Sequence, residues 1–113
     1  MKIVDRKTFL AMPEGILFSK YKPCVFEALE IKGDTWSHCD DFLVQEIVDA
    51  IDCTGSDDFG DKCQLMEEGI SAALDFDCMS RDGCFDAAQL FAVWEGDDIS
   101  ALIERLQYCV GAP

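Results

Sequence analysis

Several carboxylates in this chain stand side by side or one residue apart, among them Asp40-Asp41, Asp57-Asp58, Glu67-Glu68, Asp97-Asp98, and Asp75 with Asp77. Paired carboxylates can split a glycosidic bond, hold a hard cation, or present negative charge to a partner. Nothing in the sequence singles out one pair for glycoside hydrolysis. Residues 78–89 (CMSRDGCFDAAQ) follow the second half of a calcium-binding EF-hand loop, with Gly83 at the sharp turn and Phe85 at the apolar position. Cys78 and Gln89 stand where the first and last carboxylate ligands are needed, which leaves weak, non-specific cation binding. The single histidine, His38, adjoins Cys39, and adjacent side chains point apart rather than together. No G-x-S-x-G elbow, phosphate-binding G-x-x-x-x-G-K-[ST] loop or G-x-G-x-x-G turn occurs. The expectation is a non-enzymatic binding protein without a cofactor, with His38 in an exposed loop.

The charge is concentrated in one stretch. Between Asp40 and Asp98 there are 17 acids against two bases, Lys62 and Arg81, whereas residues 1–39 carry 5 acids and 6 bases. So acidic a surface repels nucleic acid and anionic membranes and attracts basic proteins. B-DNA places one charge about every 1.7 Å of axis, so a protein that grips it with Lys and Arg would accept a carboxylate decoy. Asp75 and Asp77, on one strand face, would stand about 7 Å apart. The bland alternative is a solvated acidic surface that keeps the protein soluble. The basic counterpart, Lys20, Tyr21, Lys22 and Arg81, suggests a nucleotide or small-molecule site instead.

Half of the residues are apolar, and the 8 Phe, 2 Trp and 2 Tyr make a folded core of one domain over residues 1–113 the expectation. The charged opening MKIVDRK and the lack of any long apolar run point to a soluble, cytoplasmic protein. Seven irregularly spaced cysteines favour reduced thiols acting mostly as buried fillers; neither a disulfide framework nor a zinc site has the spacing it needs.

These residues must be positioned by a few short elements. Asp5 caps a helix that Pro13 stops; 16–21 and 24–31 read as strands closed by Lys32-Gly33-Asp34. Residues 42–52 fit two periods. The stripe Leu43, Val44, Ile47, Val48, Ile51 favours a helix, and Phe42, Val44 and Val48, interrupted by Glu46, fit a strand; the helix is preferred. A helix runs from Ser56 to Gly69 with Phe59, Cys63 and Met66 inward. Residues 72–78 alternate as a strand with Leu74, Phe76 and Cys78 inward, and 90–95 form another. Ile99, Leu102, Ile103, Leu106 and Val110 mark a C-terminal helix over 98–110. The fold expected is α+β: a mostly antiparallel sheet of four or five strands with two or three packed helices.

Residues 5–21 (DRKTFLAMPEGILFSKY) resemble the opening of small acidic proteins of tailed phages and prophages, and 81–95 (RDGCFDAAQLFAVWE) are similar to their C-terminal half. The resemblance implies a host-directed binder, of the kind that inhibits restriction or CRISPR complexes, and carries no catalytic residue. Taken together, the expectation is an inhibitor of a basic host protein. Asp40, Asp41, Asp57, Asp58, Asp75, Asp77, Asp97 and Asp98 form the electrostatic face, and Trp36 or Trp94 anchor the contact. An immunity protein against a basic toxin nuclease follows the same logic.

Overall fold

Four phenylalanines far apart in sequence meet at one point. In the computed structural model, which describes residues 1–36 and 38–111, the Phe9 ring stacks on Phe91 at 4.0 Å and lies 4.7 Å from Phe18 and 5.1 Å from Phe42. All four are fully buried, and Val44 and Val93 complete the cluster. Phe9 is delivered by helix α1 (Arg6–Leu10), whose start is fixed by Asp5: its Oδ1 accepts from the Thr8 amide at 2.8 Å. The other three lie on strands.

The fold is α+β. Strands β1 (Lys2–Val4), β2 (Ile16–Lys22), β3 (Val25–Trp36), β4 (Asp41–Glu46), β5 (Ser80–Arg81) and β6 (Leu90–Val93) form a six-stranded sheet in the order β1-β6-β2-β3-β4-β5. Every pairing is antiparallel. The register puts Phe18, Glu30 and Glu46 in one row, and Ile16, Lys32 and Val44 in another on the same face, beneath Phe9. β2 turns into β3 through Pro23 and Cys24, the latter at φ 66°, the pattern of a type II turn with proline first.

The expected closure of β3 at residues 32–34 is a bulge instead, and the strand continues to Trp36. Gly33 makes this possible: a Cβ there would fall 2.9 Å from both the Leu43 Cβ and the Met79 Sδ. The long β3 edge also decides 42–52. Residues 41–46 pair with it as β4 and send Phe42 and Val44 into the core, so the preferred helix is not formed. Tertiary pairing overrides the helical stripe there.

The expected strand over 72–78 is reduced to one bridge, Ile51 with Leu74. The Asp75 carboxylate accepts the Asp77 amide at 2.9 Å and turns the chain, leaving Leu74 and Phe76 exposed. Helix α2 (Ser56–Glu67) ends at Gly69, whose φ of 91° lets the Ile70 amide reach back to the Leu65 carbonyl at 2.9 Å. Helix α3 (Gly96–Gly111) occupies the expected place. Neither α2 nor α3 contains a buried residue, and Ile103, Leu106 and Val110 stay exposed, so α1 alone plugs the core. The radius of gyration, 15.9 Å, exceeds the about 13 Å of a compact chain this long. The cysteines are not the buried fillers expected: Cys24, Cys78 and Cys109 are exposed and the other four half-buried. No helix among the described residues is long and apolar enough to cross a membrane.

Candidate functional site

The eight aspartates expected to form one face are dispersed and partly used internally. Asp41 is fully buried, a correction to its place on an exposed patch. Its Oδ2 accepts from Arg81 Nε at 2.8 Å, and its Oδ1 accepts the amides of Phe42 at 2.8 Å and Gly83 at 3.1 Å. Burial works to raise the Asp41 pKa, but the two amides and the guanidinium outweigh it and hold the carboxyl below its usual range. This cluster ties β4 to the chain after β5, so Asp41 is structural.

Asp98 is spent in a similar way. It binds the Met1 ammonium and accepts the Glu95 amide at 2.9 Å, and these bonds lower its pKa. Asp58 accepts the Thr54 amide at 2.9 Å and lies 3.8 Å from Lys62. Asp40, Asp57, Asp77 and Asp97 are exposed and Asp75 is half-buried. The Met1–Asp98 contact lies beside β1, the edge opposite β5. Four strand steps separate β1 from β4, about 19 Å at the usual inter-strand spacing. Asp41, being buried, adds nothing to an exposed face, and Asp98 lies toward the opposite edge of the sheet. Trp36 and Trp94 are half-buried rather than free anchors. The Arg81 guanidinium covers the Trp36 ring at 4.9 Å, and the Trp94 amide bonds the Leu17 carbonyl at 2.9 Å.

A different set of carboxylates does converge. A cleft of about 420 Å³ at the β3–β4 end is lined by Glu27, Glu30, Glu46 and Asp49 with Leu29 and Val48. A second cleft of about 190 Å³ shares Glu46 and Asp49 and adds Asp75 and Phe59. Glu30 and Glu46 are direct cross-strand partners, a like-charge pairing that weakens a sheet. Burial pushes Glu30 up to about 7, helped by Asp82, Glu46 and Glu27 and opposed by Lys20. Burial also raises Glu46, with Asp49 adding to it. Lys20 lines the cleft, but its Nζ pairs with Asp82 at 2.7 Å, and that pair raises the lysine pKa against the effect of burial. The cleft thus holds more negative charge than its own cation offsets.

Of the expected basic set Lys20, Tyr21, Lys22 and Arg81, Lys20 and Arg81 are paired with Asp82 and Asp41. His38 is exposed, its ring 6.3 Å from that of Trp36. Among the described residues, no three His, Cys, Asp or Glu side chains form a metal-binding group. No protein-family model, curated protein or solved structure matches the chain.

Sequence reasoning passed over Glu27, Glu30, Glu46 and Asp49. One signal was available: read as a strand, 42–46 puts Glu46 on the same face as Phe42 and Val44, where a carboxylate has no packing reason to be.

Proposed function

We propose that the protein is a non-enzymatic acidic binding protein that seats its β3–β4 cleft on a basic site of another protein and blocks that site. Proteins that grip nucleic acid with clustered Lys and Arg fit the charge best, a defence complex met by a phage or prophage accessory protein among them. The observation that carries this reading is the Glu30–Glu46 pair. Glu30, half-buried, and Glu46, exposed, are set face to face as like charges at a cost in stability, and an incoming ammonium or guanidinium relieves it. The exposed Val48 and the half-buried Leu29 supply apolar contact beside the charge.

The test is capture of partners at low salt by the wild-type chain, by Glu46→Lys/Asp49→Lys, and by Asp97→Lys. The reading requires a partner that is retained by the wild type and by Asp97→Lys, is lost by the cleft variant, and is released by a high-salt wash. A partner held equally by all three defeats it.

A further inference from the structure

Among the described residues, Arg6 carries the one buried side-chain nitrogen or oxygen without a hydrogen-bond partner. Its side chain projects from α1 into the interior with 7% of the residue exposed. Nη2 donates to the Asp40 carbonyl at 2.6 Å, whereas Nη1 is buried without a hydrogen-bond partner among the described residues. No ion pair within the described residues involves Arg6. A buried guanidinium with no counter-ion is costly, because desolvation is not repaid by an opposite charge.

Arg6 also walls a pocket of about 370 Å³, together with Lys7, Leu10, Cys39, Asp40 and Phe85. That volume falls within the span of small-molecule sites. The wall combines two cations with one carboxylate, so it is locally basic in a chain of net charge −14. Phe85 leaves 56% of its surface exposed there, and Leu10 is half-buried beside it. An exposed aromatic ring next to a buried, unpaired guanidinium is the pattern of a site for an anion with an apolar body.

We propose that this pocket binds a small organic monocarboxylate. Its head group sits against Arg6 and Lys7, and its flat or aliphatic body lies on Phe85 and Leu10. Asp40 also lines the pocket, and its negative charge disfavours a doubly charged head such as phosphate. The pocket shares no residue with the acidic cleft, so the inference stands apart from the proposed function.

The probes are 2-naphthoate, its neutral analogue 2-naphthalenemethanol, and inorganic phosphate, titrated into the whole chain and followed by NMR. Lys7 and Phe85 are exposed, so Lys7→Ala and Phe85→Ala keep the fold intact where a change at buried Arg6 puts it at risk. The expected result is saturable shifts at Arg6, Lys7 and Phe85 with 2-naphthoate, and affinity about tenfold weaker in each variant and for the neutral analogue. The inference is overturned by the absence of saturation at millimolar 2-naphthoate, by equal affinity for the neutral analogue or phosphate, or by affinity unchanged in both variants.

Discussion

Replacing Glu30 by Gln removes the charge that the cleft tolerates least, and the consequence depends on pH. The Glu30 pKa rises from 4.5 to about 7 on folding, chiefly because burial penalises the carboxylate. Between those values the folded protein keeps a proton that the unfolded chain has released. Stability is therefore fully present below pH 4.5 and is lost as pH rises through about 7. The full shift corresponds to about 3 kcal/mol at about 1.4 kcal/mol per unit. Solvent still reaches this half-buried side chain, which reduces the expected effect to about 1–2 kcal/mol. Urea denaturation of both proteins at pH 4.5 and pH 8 reads it directly. Glu30→Gln is expected to match the wild type at the lower pH and to exceed it by about 1–2 kcal/mol at the higher. Because the rest of the acidic surface titrates in both proteins, the difference between them isolates Glu30. An equal difference at both pH values, or a wild type that gains stability relative to the variant as pH rises, refutes the reasoning.

Other substitutions test the frame that holds the cleft. Asp41→Asn removes the buried carboxylate that the half-exposed Arg81 pairs with and is expected to cost about 1–3 kcal/mol in denaturant unfolding at pH 7. Since the folded Asp41 pKa is depressed, that cost shrinks as pH falls below the ordinary carboxyl value of 3.8. Phe9→Ala empties the centre of the four-ring cluster and is expected to cost about 3–5 kcal/mol, seen as a lowered Tm in calorimetry. Gly33→Ala forces a methyl against Leu43 and Met79 and is expected to cost about 1–3 kcal/mol by the same measurement. Affinity for an arginine-rich peptide is expected to rise between pH 6 and pH 8 as Glu30 ionises, with a proton released on binding that calorimetry in two buffers detects.

The elements that were legible in the sequence are those whose local signals agree with their packing. Asp5 and Pro13 bound α1, and Phe18 and Tyr21 mark β2. The stripe from Ile99 to Val110 gives α3 its period even though much of it stays exposed. The failures occur where a distant partner decides. Residues 41–46 carry a helical period, but the β3 edge claims them, and no pattern within the segment reports that edge. Residues 72–78 alternate like a strand, yet the Asp75 side chain captures the Asp77 amide. The same two errors displaced the site. With 42–52 taken as a helix, Glu46 belongs to a solvated face, and its confrontation with Glu30 cannot be anticipated. Asp41 and Asp98 read as surface charge because their partners, Arg81 and the chain's own amino group, lie 40 and 97 residues away. Acidic composition points to the sign of the proposed partner and not to the place where it would dock.

The most direct test of that docking place is an NMR titration of the whole chain with a short arginine-rich peptide at low salt. Shifts concentrated at 27–30 and 46–49, and abolished by Glu46→Lys, are the predicted result. Shifts spread over the carboxylates of every edge, or centred on Asp97 at the far side of the sheet, would contradict it.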